Sequence, residues 1–166
     1  MNLRARTAAL YGRGVSDAFD ADVLDALEGD IDAWLVAISE TMPVEAIDRG
    51  EGDERRWYVR LRGEDKDFTT VWLTLGQRTL RYETYVMPAP EENDLALYDQ
   101  LLRRNDRLVG AHFSIGIEDA VFLRGELPNH ALTAAELDRA IGTLYATVEQ
   151  TFRGLLRIGF ASRVGG

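Results

Sequence analysis

Residues 68–87, FTTVWLTLGQRTLRYETYVM, decide the fold. Two runs rich in Thr, Val, Trp and Tyr, Phe68 to Leu75 and Thr79 to Met87, alternate apolar and polar positions on either side of Gly76-Gln77. Period two with β-branched and aromatic residues is the pattern of strands, and glycine in first place suits a two-residue hairpin turn. That turn sets Leu75 opposite Arg78, Leu73 opposite Leu80 and Val71 opposite Tyr82. One face then carries Val71, Leu73, Leu80, Tyr82 and Val86. The other pairs Trp72 with Arg81 and Phe68 with Tyr85, among Thr70, Thr74, Thr79 and Glu83. A Trp beside an Arg is a cation–π pair, worth about 0.5–1 kcal/mol at an exposed site.

Upstream, Trp57, Val59 and Leu61 alternate with Tyr58, Arg60 and Arg62, which predicts another strand. A four-residue loop from Gly63 to Lys66 puts Trp57, Val59 and Leu61 on the Trp72 face, whereas a bulge or odd-length loop reverses them. Both arrangements fit the sequence. Residues 48–56 read as a polar, glycine-bearing loop. From Asp17 to Thr41, Phe19, Val23, Leu24, Leu27, Ile31, Trp34, Leu35 and Ile38 recur at helical spacing, and Pro43 ends the helix.

Downstream, Pro88 and Pro90 close the strand. Residues 91–104 read as a helix with Leu95, Tyr98, Leu101 and Leu102 on one side, and Asn105 as its left-handed stop. Ala111 to Ile117 and Ala120 to Leu127 predict a hairpin around Glu118-Asp119. Thr133 and Glu136 form a capping box that opens a long helix striped by Leu137, Ile141, Leu144, Val148, Phe152 and Leu155. The expected class is α+β, in the order α-β-β-β-α-β-β-α, with a mostly antiparallel five-stranded sheet flanked by helices. Residues 17–160 form one domain in this reading, with 1–16 an arm or short helix and 161–166 a tail. The two sheet faces hold more apolar surface than one helical layer covers. The second face is therefore expected to be covered by a subunit, a bound segment or another part of this chain.

Composition narrows the chemistry. The chain has 166 residues, 28 acidic against 19 basic, and a net charge of −9. An acid-only run from Asp17 to Asp32 repels phosphate backbones and argues against direct nucleic-acid binding. Basic residues are nearly all arginine, grouped at Arg55-Arg56, Arg60 and Arg62 and at Arg103-Arg104 and Arg107; Lys66 is the single lysine. Absence of cysteine excludes disulfides, thiolate metal sites and a cysteine nucleophile. No apolar run is long enough to span a membrane, and residues 1–6 lack the apolar core of a signal peptide, so a cytoplasmic location is expected. His112 and His130 have no partner at metal-ligand spacing. No phosphate-binding glycine loop or nucleophile elbow occurs. No catalytic, cofactor-binding or metal-binding residue is assigned. Of the acidic residues, Glu83, Glu118 and Asp119 are those a ligand pocket or enzyme would use, and they need burial to do so.

Five segments carry a resemblance: Trp57-Tyr58-Val59-Arg60-Leu61, the run from Asp67 to Asn93, Leu101 to Asn105, Ile115 to Val121, and Arg157 to Phe160. Together they resemble the actinobacterial branch of the YbjN-like family over about residues 20–160, leaving the first 16 outside. The resemblance implies a fold like that of type III secretion chaperones. Those are small acidic proteins, usually dimeric and independent of ATP, that hold an extended partner segment on apolar grooves and strand edges. It brings no catalytic residues. The expected function is a non-enzymatic chaperone-like or adaptor protein with a protein partner, forming a homodimer. A regulator in a stress-response or nucleic-acid-linked complex is the alternative. Phe68, Trp72, Arg81 and Tyr85 are the expected partner-binding residues, and Tyr98, Leu101 and Leu102 the expected dimer contact.

Overall fold

The computed structural model describes residues 18–165, so the predicted arm at 1–16 lies outside the described residues. Helix α1 (Ala21–Ser39) is followed by β1 (Val44–Arg49), β2 (Arg56–Arg62), β3 (Phe68–Leu75) and β4 (Thr79–Met87). Then come α2 (Asp94–Asn105), β5 (His112–Ile115), β6 (Val121–Pro128), α3 (Ala134–Gly159) and a single turn, α4 (Ala161–Val164). The strands form one antiparallel sheet in the order β1-β2-β3-β4-β6-β5.

The sheet has six strands, not the expected five. Strand β1 escapes a periodicity reading because its register shifts between Val44 and Ala46, which breaks the alternation in a short, polar segment. Its anchor is Ile47 opposite Val59.

Two predicted registers are also corrected. Leu75 faces Leu80, so the β3–β4 connection has four residues, closed by a hydrogen bond from Gly76 N to Thr79 O at 2.9 Å. Leu73 therefore faces Tyr82, Val71 faces Thr84 and Trp72 faces Glu83, each displaced by two from the two-residue turn. A shift of two leaves every side chain on its predicted face. In the other hairpin Arg62 faces Phe68 across a five-residue loop. That odd length turns Trp57, Val59 and Leu61 to the same side as Val71 and Leu73. The loop is folded around one carboxylate. Glu149 of α3 accepts hydrogen bonds from the backbone N–H groups of Glu64 (2.8 Å), Asp65 (3.0 Å) and Lys66 (3.3 Å). Burial pushes its pKa up, but these donors and Arg153 outweigh that and hold it below the usual carboxylate range.

The described helices make one layer. Helix α3 crosses β3, β4 and β6; α1 packs on β1 and α3; α2 packs on β5 and α3. Its stripe Leu137, Ile141, Leu144, Val148 and Leu155 is buried against Val59, Leu61, Val71, Leu73 and Leu80. The cap expected at Thr133 is present, its hydroxyl accepting from Glu136 N at 3.2 Å.

The acidic helix α1 is more than a solvated face. Asp20 caps it, accepting from Val23 N at 2.9 Å. Asp25 and Glu28 bind Arg55, and Glu28 and Asp32 bind Arg49. Asp32 also accepts from Trp57 Nε1 at 2.6 Å, which satisfies the one polar atom of a fully buried indole. Asn105 does not stop α2 in a left-handed turn. Its amide instead accepts from Phe113 N at 2.7 Å and donates to Phe113 O at 3.1 Å, bracing α2 to β5.

Candidate partner-binding face

The strand side chains that point away from the helices form a second face that no described element covers. Phe68, Trp72, Arg81 and Tyr85 all stand on it, as expected from their parity, joined by Tyr58 and Phe122. Three edge-on ring contacts run across it. Tyr58 meets Trp72 at 6.2 Å between centroids, Trp72 meets Phe122 at 6.2 Å, and Phe122 meets Tyr85 at 5.7 Å. Each such contact contributes about 0.5–1.5 kcal/mol beyond its buried area.

The expected pairings within this face change. Arg81 does not lie on Trp72; it faces Thr74 and ion-pairs with Glu83 at 3.3 Å. Tyr85 faces Phe122 rather than Phe68. Phe68 instead carries the guanidinium of Arg60 at 3.8 Å and that of Arg62 at 5.5 Å. Arg124 lies over Phe122 at 4.6 Å and reaches Glu83 at 3.4 Å. Glu83 thus sits between two arginines. Glu118 and Asp119 are exposed at the tip of the β5–β6 turn. These carboxylates make no buried catalytic pair.

Phe122 was not singled out from the sequence, yet it links the ladder. Its role follows from the pairing of β4 with β6, a long-range contact with no local signal. It is buried because Gly116 leaves room for it; a Cβ there would lie 2.4 Å from the Phe122 ring. Tyr85 is more than one-third exposed (37%). Its phenol pKa is raised by burial and by Glu118, so it is neutral at ordinary pH.

Lys66 marks the rim of the face. A bulge between Tyr85 and Met87 frees the Tyr85 carbonyl, to which Lys66 Nζ donates at 2.6 Å. The ammonium also lies 5.2 Å from the Tyr85 ring and 5.5 Å from that of Phe152 on α3. Burial lowers its pKa to about 8, with Glu149 opposing.

The expected dimer residues divide. Leu101 is buried in the core, while Leu102 is 69% exposed. Tyr98, Leu102, Phe113 and Ile115 line an apolar cleft of about 290 Å³ between α2 and the free edge of β5, with Leu101 as part of its wall. Among the described residues there is no group of three or more potential metal ligands, and no helix is long and apolar enough to cross a membrane.

Residues 31–157 match the YbjN family, described as "Putative bacterial sensory transduction regulator". The chain belongs to the YbjN family. Uncharacterized proteins of Mycobacterium tuberculosis and Mycobacterium bovis are each 35% identical to it over 106 residues, 64% of this chain and 58% of theirs. A Mycobacterium leprae protein, also uncharacterized, is 31% identical over 109 residues, 66% of this chain and 59% of its own. The matches thus span about three-fifths of these relatives.

The fold resembles type III secretion chaperones. A chain of the heterodimeric ExoU–SpcU complex from the type III secretion system of Pseudomonas aeruginosa aligns with a TM-score of 0.52 at 15% identity, covering 75% of this chain and 96% of that one. A chain of the ExsC–ExsE complex aligns with a TM-score of 0.55 at 18% identity, covering 78% and 96%. At these identities the likeness concerns the fold.

Proposed function

We propose that this protein is a non-enzymatic, chaperone-like or adaptor protein that holds an extended segment of a protein partner on the open face of its sheet. The observation that carries this reading is the ladder Tyr58–Trp72–Phe122–Tyr85, in which Tyr58, Trp72 and Tyr85 stay partly exposed around a buried Phe122, flanked by Arg60, Arg81 and Arg124. Aromatic and arginine side chains supply most of the binding energy at protein interfaces. The two edge strands, β1 and β5, offer backbone groups for an added strand. The chaperone-like fold is consistent with such a role, and the protein is proposed to act in the cytoplasm.

The same reading makes it a homodimer through α2 and β5. The exposed Leu102 and Ile115, beside Tyr98 at the free sheet edge, are the proposed contact. Sedimentation velocity tests this: Leu102→Asp is expected to give a monomer with an unchanged circular dichroism spectrum. A monomeric wild type removes the dimer.

Affinity capture from the native cytosol tests the partner. One stoichiometric protein is expected with the wild type and none with a Phe68→Ala, Trp72→Ala double variant that remains folded. Equal capture by both overturns the assignment of the face. A second reading is a regulator in a stress-response or nucleic-acid-linked complex, of which the family description supports the word regulator alone. Direct nucleic-acid binding would appear as a steep fall in affinity with salt, and absence of binding at low salt removes it.

A further inference from the structure

Between α2 and α3 lies a separate cavity of about 440 Å³, within the range of small-molecule sites. Arg103, Arg104 and Arg107 line it from the end of α2, and Gln150 from α3; no carboxylate lines it. Arg103 is ion-paired to Asp99 at 2.8 Å. Arg104 and Arg107 have no ion-pair or hydrogen-bond partner for their guanidinium groups among the described residues. This is unusual for a chain with 28 acidic residues, most of whose other arginines hold a carboxylate.

Arg104 is the more telling of the two. Its Nε is shut off from solvent and donates to nothing. A buried unsatisfied donor on a charged group is costly, and it leaves the terminal guanidinium nitrogens, which also lack partners among the described residues, to take an acceptor from the cavity. Two guanidinium groups lining one cavity, neither ion-paired although Asp99 and Asp106 share an adjoining groove with Arg107, suit a dianion that accepts N–H donors, as a phosphate does. A phosphomonoester carries about −1.5 to −2 near pH 7, enough to offset both. Inorganic phosphate alone would leave most of the cavity empty. The remaining wall is of mixed character: Leu108 and Phe113 are apolar, and Gln100 and Gln150 offer amides. Such a wall fits an organic group with a flat apolar surface and polar edges.

We infer that the α2–α3 cavity is a binding site for a small organic phosphate of about nucleoside-monophosphate size, its phosphate on Arg104 and Arg107 and its organic part against Leu108 and Phe113. The site is distinct from the open sheet face and does not depend on the chaperone-like reading.

Isothermal titration calorimetry of the full chain with AMP, adenosine and inorganic phosphate tests it, using wild type, Arg107→Gln and the Arg104→Gln, Arg107→Gln double variant. AMP is expected to bind one site per chain and more tightly than inorganic phosphate, with adenosine far weaker. Arg107→Gln should weaken AMP by about tenfold, the size of one lost charge-assisted hydrogen bond, and the double variant should abolish it. Arg107 is exposed, so its replacement is not expected to disturb the fold, and circular dichroism checks this. A Trp72→Ala control should bind AMP as the wild type does. Absence of phosphate binding up to about 10 mM, a level far weaker than any specific site, overturns the inference. So does AMP affinity unchanged in Arg107→Gln. Adenosine binding as tightly as AMP overturns the arginine assignment, and AMP no tighter than inorganic phosphate overturns the organic part.

Discussion

The two faces of one sheet are built from alternate residues of the same strands, and they obey different rules. On the helix side Trp57, Val59, Leu61, Val71, Leu73, Leu80 and Val86 are all fully buried. On the other side their immediate neighbours, Tyr58, Arg60, Trp72, Arg81 and Tyr85, remain partly or well exposed. The first face exists because apolar side chains leave water together, and its energy scales with buried area. The second is held by ring edges and guanidinium groups on ring faces, contacts of about 1 kcal/mol each. A surface that keeps large aromatics half-wet contributes less to folding than it could, and it is the area that the proposed partner would cover.

Neighbouring residues test this contrast. Leu73→Ala, on the buried face, is expected to cost about 2–5 kcal/mol by denaturant unfolding, through lost transfer energy and a cavity that rigid neighbours cannot fill. Gly125→Ala should follow at about 1–3 kcal/mol. A Cβ there would lie 2.3 Å from Gly110 O and 2.4 Å from the Tyr82 ring, and the backbone carbonyl cannot move away cheaply. A loss much smaller than this would mean that β6 shifts easily against β4.

The rim gives a smaller, pH-dependent effect. Lys66 titrates near 8 in the fold and at 10.5 when unfolded. Between those values the unfolded chain binds more protons, so this group's contribution to stability rises with pH across that window. The rise is expected to be about 1–2 kcal/mol, discounted for partial exposure. It should appear as the difference between wild type and Lys66→Met, because the raised phenol pKa values of Tyr82 and Tyr85 act in the opposite sense above pH 10. Glu149 works at the other limb. Its depressed pKa contributes stability that is present above the ordinary value of 4.5 and lost as pH falls through the folded value. Glu149→Gln should flatten that acid limb in urea titrations at successive pH values.

For Trp72→Ala the two edge-on contacts account for about 1–3 kcal/mol, below the cost expected at Leu73, together with lost partner capture. Cooperative unfolding by Trp72→Ala alone would place Trp72 with Leu73 in energetic terms and erase the distinction between the faces.

The parity of the strands was readable because period two needs only local residues. Trp72 and Leu73 must point to opposite sides whatever else the chain does. The exact partners were not readable. The β3–β4 connection takes four residues rather than two, since Gly76 N closes onto Thr79 O, and this moved Arg81 from Trp72 to Glu83. Strand β1 was hidden by a bulge and by a polar composition that reads as loop. Leu101 and Leu102 illustrate the limit on helices: both lie on the stripe side of α2, but only the packing of α2 on α3 and β5 decides that Leu101 is buried and Leu102 exposed.

By itself, the sequence determined helices α1 to α3 and five of the six strands, together with the charge and the absence of thiol chemistry, but read the turn α4 as tail. Each of these follows from local periodicity, capping or composition, which neighbouring residues set. Only the tertiary structure decided which way β2 faces, how Phe122 joins an aromatic ladder from a strand far along the chain, and why Arg104 and Arg107 meet Gln150 across a cavity. Those depend on loop parity and on long-range pairing, where contacts between distant segments outweigh anything local spacing specifies.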